Sequence, residues 1–87
     1  ESYQISETRE NGQHMIGTVS KDVNGVLSIN FNLLTAGELS DEHIGDANYY
    51  MAEGASNVSI NFSVAEPNRD DFMTYMDTVF DTVLNFF

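Results

Sequence analysis

Two Asn-Gly pairs, Asn11-Gly12 and Asn24-Gly25, sit between stretches that alternate apolar and polar residues or are rich in β-formers. Asn-Gly supplies the positive φ angles of a two-residue type I′ hairpin turn. Two such turns in succession predict a three-stranded antiparallel meander at the N-terminal end of the chain. Two-residue loops also set a register, placing Ile5 opposite Thr18 and Thr18 opposite Phe31. On that register Tyr3, Ile5, Ile16, Thr18, Leu27, Ile29, Phe31 and Leu33 share one face. The other face carries Gln4, Ser6, Thr8, Gly17, Val19, Lys21, Ser28, Asn30 and Asn32. The misfit is Glu7, which falls opposite Ile16 on the apolar face, near its rim.

After Thr35 the alternation stops, and Ser40 followed by Asp41, Glu42 and His43 reads as a helix N-cap with acids in the first turn. A helix over 41–53 would turn Ile44, Ala47 and Tyr50 or Met51 inward, with Gly54 as its stop. Residues 57–64 alternate again, with Val58, Ile60, Phe62 and Val64 on one side and Asn57, Ser59, Asn61 and Ser63 on the other, as in a half-buried strand. Pro67, Asp70 and Asp71 then suit the start of a second helix. Phe72, Met76, Val79, Phe80, Val83 and Phe87 form its apolar stripe. The predicted fold is a single α+β domain over 1–87, a two-layer sandwich of order β-β-β-α-β-α. Its four-stranded, mainly antiparallel sheet carries two helices on one face. Leu27, Ile29, Phe31, Ile60, Phe62, Phe72, Met76, Phe80 and Val83 are expected to share its core.

A chain of 87 residues supports one such core and is marginal alone, which favours a homodimer or a partner-stabilised form. The absence of cysteine removes disulfides, thiol nucleophiles and Cys-based metal sites. No apolar run approaches the roughly 20 residues that a membrane-spanning helix needs. Glu1 could follow a removed initiator Met, as in a cytoplasmic protein, or a removed signal peptide, as in a secreted or cell-surface one.

Charge is the unusual element of the composition. Against 14 acidic residues stand 3 basic ones, a formal net charge of −11, which disfavours direct contact with nucleic acid or an anionic membrane. Residues 38–56 hold five acids and no base, and residues 57–87 hold five acids and one base. On the last helix Asp70, Asp77 and Asp81 lie within about 20° of one line, opposite the aromatic stripe. Asp77 and Asp81 are then roughly 6 Å apart along the axis, close to the spacing of successive phosphates on a strand. An ordinary solvated face mixes both signs, and this one does not. Asp70, Asp77 and Asp81, with Asp41, Glu42 and Asp46 of the first helix, are therefore the candidate contact residues for a protein partner with a basic surface. The uncharged sheet face of Asn30, Asn32, Asn57 and Asn61 is the alternative, able to hydrogen-bond a sugar, a peptide or another protein.

No catalytic or cofactor signature occurs. The chain lacks G-x-S-x-G, P-loop, G-x-G-x-x-G and His-Glu-x-x-His patterns, and no EF-hand spacing is present. Asp70 and Asp71 are neighbours that point about 100° apart on a helix and cannot act as an acid/base pair. His14 has no ligand cluster beside it in sequence. His43 with Asp41, Glu42 and Asp46 fits dipole complementarity at a helix start better than a metal site. The two Asn-x-Ser matches at Asn57 and Asn61 are short enough to arise by chance in an Asn- and Ser-rich chain. Phe86 flanks the apolar arc and is a candidate contact with a partner. The expectation is a non-enzymatic acidic protein, with no cofactor and no metal, that binds and inhibits a basic, nucleic-acid-binding type of protein. The competing expectation is an exported or surface-attached structural or ligand-binding module.

Overall fold

In a computed structural model that describes every residue except Glu38, Glu53 and Phe87, both Asn-Gly pairs do form hairpins, but through three-residue loops. The Gly12 N–H donates to the Arg9 carbonyl (3.0 Å) and the Arg9 N–H to the Gln13 carbonyl (2.7 Å). Asp22, Gly25 and Val26 repeat the arrangement, both bonds being 3.1 Å. Among described residues positive φ occurs only at glycines, with 89° at Gly12 and 84° at Gly25. A type I′ turn needs positive φ at both central residues, so Asn11 and Asn24 exclude it. Each loop is instead a type I turn followed by a glycine bulge.

These loops join β1 (Ser2–Thr8), β2 (His14–Lys21) and β3 (Leu27–Thr35). The extra loop residue moves both registers by one position: Ile5 pairs with Gly17, and Gly17 with Phe31. The two slips cancel between β1 and β3, whose inward residues stay as expected, and only β2 is inverted. Met15 and Val19 are buried in place of Ile16 and Thr18, and Ile16 is 52% exposed on the opposite face. Met15 with Val19 is a more apolar pair than Ile16 with Thr18, and burial therefore favours the longer loops.

The larger correction concerns residues 41–53. Among the described residues of this segment there is no helix: Glu42–Met51 is a strand, β4, paired antiparallel with β3. Ser59–Val64 forms β5 on its other side, so the sheet has five antiparallel strands in sequence order β1-β2-β3-β4-β5. A bulge inserts Ile44 between His43 and Gly45, the partners of Leu34 and Leu33. Across it the inward set Ile44, Ala47, Met51 reproduces helical spacing, while Gly45, Ala47, Tyr49 and Met51 alternate as a strand does. The bulge thus hides the alternation from a reading along the chain. Glu53, the expected end of that helix, lies outside the described residues. Asn57 precedes β5 and does not belong to it.

One helix remains, α1 (Arg69–Phe86), entered through a short 3-10 turn at Glu66–Asn68 that contains Pro67. It packs its aromatic stripe on the inner face of the sheet. The Phe31 ring is the hub, 5.8 Å from Phe72, 6.2 Å from Tyr75 and 5.9 Å from Phe80, and Phe80 also meets Tyr49 at 5.2 Å. Leu27, Ile29, Phe31, Phe72, Met76, Phe80 and Val83 share the core as expected. Ile60 and Phe62 face the same side but remain 42% and 40% exposed. Five strands span about 19 Å, whereas a helix with its side chains covers about 10–12 Å. With the second helix replaced by a strand, the inner face of β5 is left half covered.

Candidate functional site

The predicted acidic site is divided between surfaces. Asp70, Asp77 and Asp81 are exposed on the outer side of α1. Asp46 lies on the opposite surface of the molecule, in the helix-free face of the sheet, where it pairs with Ser63 of β5 and Asn32 of β3. Its carboxylate is 3.3 Å from His43 Nε2. Asp41 reaches His14 Nε2 at 3.1 Å, and Glu42 opens β4 opposite Thr35. Asp46 is thus on a different surface from the helix aspartates. Among the described ion pairs Arg69 is the base that reaches this set, 3.7 Å from Asp70 and 3.4 Å from Glu66.

The conversion of 42–51 to a strand widens the Asn/Ser-rich sheet face and brings Asp46 into it. Gln4, Thr18, Asn30, Asn48 and Asn61 form one row across all five strands, and Ser2, Ser20, Ser28, Tyr50 and Ser59 another. Asn32 belongs to the row of Ser6, Ile16, Asp46 and Ser63. Asn30, Asn32 and Asn61 therefore share this face, with Asn57 beyond its border. Asn48 joins it, as do Ile16 and Tyr50, which the sequence pattern assigns to the core.

A polar cluster that the sequence does not announce ties the first hairpin to the helix. Arg9 donates from both terminal guanidinium nitrogens to Asp71, at 2.7 and 3.2 Å, and to Gln13 Oε1 at 2.7 Å. The guanidinium carbon sits 4.3 Å from the centre of the Tyr75 ring. The Tyr75 hydroxyl donates to Glu7 Oε1 at 2.6 Å. Burial, then the bond to Glu7, holds the Tyr75 hydroxyl well above its usual pKa, so it remains a donor. Glu7 is inward-facing opposite Met15 and finds its partner here. Its misfit in the strand pattern was the one sequence signal, because these partners lie 62 and 68 residues away along the chain.

The arrangement clamps the first hairpin to the helix. Its bidentate pair with Arg9 holds Asp71 below the ordinary carboxylate pKa. A depressed folded-state pKa contributes stability above the unfolded value of about 3.9 and loses it as pH falls through the folded value. Asp71 is 56% exposed, so the contribution stays within the ~0–1 kcal/mol of solvent-screened pairs. Asp71→Asn is therefore expected to melt a few degrees below wild type at pH 7. The difference should shrink as pH falls from about 3.9 through the lower folded value of Asp71. An undiminished difference at pH 2.5 would contradict the charge assignment.

Among described residues no three His, Asp or Glu side chains converge as a metal site would require. No described helix is long and apolar enough to cross a membrane. No family model matches the chain, and comparisons with curated proteins and with solved structures find no match, so function is read from this geometry alone.

Proposed function

We propose that this is a non-enzymatic protein that binds, and thereby inhibits, a protein with a basic surface, through the exposed aspartates of α1. The observation that carries the reading is the acidic outer face of that helix, on which neither Asp77 nor Asp81 has a basic partner among the described ion pairs. Asp70, Asp77 and Asp81 are all exposed, and the whole chain carries a formal net charge of −11. Opposite charge on the partner would accelerate encounter and make association salt-sensitive. A nucleic-acid-binding protein has such a surface, and carboxylates about 6 Å apart resemble its phosphate contacts in spacing.

Low-salt affinity capture with wild type and with Asp77→Lys/Asp81→Lys tests this. The double reversal should lose the captured partner at least tenfold, chiefly through the association rate, while its thermal midpoint stays within a few degrees of wild type. Raising salt to 0.5 M should weaken wild-type capture in the same direction, because screening then acts within about 4–5 Å. Equal capture by wild type and double reversal sinks the reading. It would then favour a ligand-binding role for the Asn/Ser sheet face, which Asn30→Lys/Asn48→Lys would abolish.

A further inference from the structure

The geometry points to β5 as a self-association edge, at which a second copy of this chain adds its own β5 antiparallel to make one continuous ten-stranded sheet. An edge strand presents unpaired backbone donors and acceptors that only another extended segment can satisfy as a row. Edges are ordinarily guarded by Lys, Pro, a bulge or an inward-pointing charge. The other edge, β1, has such a guard in Glu7. Ser59–Val64 has none of these, and its pairing with β4 is regular. On its helix side Ile60 and Phe62 are 42% and 40% exposed, and Val58, just before it in the chain, is 43% exposed. Met73, also 41% exposed, follows Phe72 by about 100° around α1, on the Phe80 flank that meets Tyr49 of β4.

Charge identifies the occupant. Residues 54–65 contain no ionisable side chain although nearly all are exposed, whereas the other long stretch without one, 23–37, runs mostly through the central strand β3. A basic partner finds nothing to pair with here, whereas an identical uncharged strand meets it without opposing carboxylates. Side-chain alternation also sets the register. Antiparallel partners must face the same side of the sheet, and a two-fold axis at Asn61 meets that condition. Ile60 then lies against the second copy's Phe62, and Asn61 against its own counterpart. A two-fold axis normal to the sheet keeps both helices on one face, and the two half-covered apolar rows fill the gap between them.

The whole chain at about 100 µM should sediment as a dimer. Because two bodies of formal charge −11 repel, the dissociation constant should fall several-fold between 50 mM and 500 mM NaCl. That trend is opposite to the one expected for a basic partner. Asn61→Lys should weaken the dimer at least tenfold although it lowers the net charge, and Asn30→Lys, the same change on the same face of a central strand, should leave it unchanged. Far-UV circular dichroism confirms that both variants are folded. Asp77→Lys/Asp81→Lys should dimerise at least as tightly as wild type, so loss of the basic-partner reading leaves this one standing, and the reverse. A wild-type monomer at both salt concentrations overturns the assignment, as does a dimer that Asn61→Lys leaves intact or that Asn30→Lys weakens equally.

Discussion

Phe72→Ala is expected to destabilise the protein by about 3–5 kcal/mol and to lower its thermal midpoint by more than 10 °C. The Phe72 side chain is completely buried, and its ring lies between Phe31 on the central strand and Phe62 on β5. Removing it leaves a cavity whose walls belong to the sheet and to the helix backbone, neither of which can collapse far. A domain of this size has only about 4–13 kcal/mol of total stability, so much of the variant should be unfolded at 37 °C. Phe62→Ala is the internal comparison: the ring is 40% exposed and should cost less than half as much. Urea unfolding followed by two probes reads both values. Equal losses for the two variants would mean that the helix does not cover the sheet as described.

Gly17→Ala is expected to be nearly as damaging, at roughly 3 kcal/mol, the upper end of the overpacking range. Gly17 is the inward residue of β2 between Ile5 and Phe31. A β-carbon there would lie 2.2 Å from the Asn30 carbonyl oxygen and 2.6 Å from the Phe31 β-carbon. The oxygen is backbone in the middle of the sheet, so relief requires β2 and β3 to separate where they carry the core. On the two-residue-loop register the same glycine would face solvent, and alanine would cost little. Thermal unfolding of this one variant thus decides between the two registers, since an unchanged midpoint is compatible only with the shorter loops.

Much of the fold was legible because it rests on local patterns. The meander, the alternation of β5 and the stripe from Phe72 to Val83 are each dictated by spacing within a few residues, and the structure keeps all three. The β2 register was not legible. Asn-Gly serves a two-residue turn and a three-residue bulged turn equally well, and the choice falls to which residues of β2 gain more by burial under a helix more than fifty positions away. The 42–51 segment was misread for a related reason. Its bulge gives Ile44, Ala47 and Met51 a helical period, and only pairing with β3 and β5 reveals the strand.

The candidate sites divide along the same line. Charge and exposure at Asp70, Asp77 and Asp81 follow from composition and helix geometry, so sequence alone determines that one face of α1 is acidic. Which other acids accompany them was decided by tertiary structure, which places Asp46 on the far surface of the sheet. The Arg9–Asp71 and Tyr75–Glu7 contacts and the half-covered β5 edge were likewise decided there. They depend on how five strands, wider than one helix can cover, bring distant residues together, and no short-range pattern encodes that width.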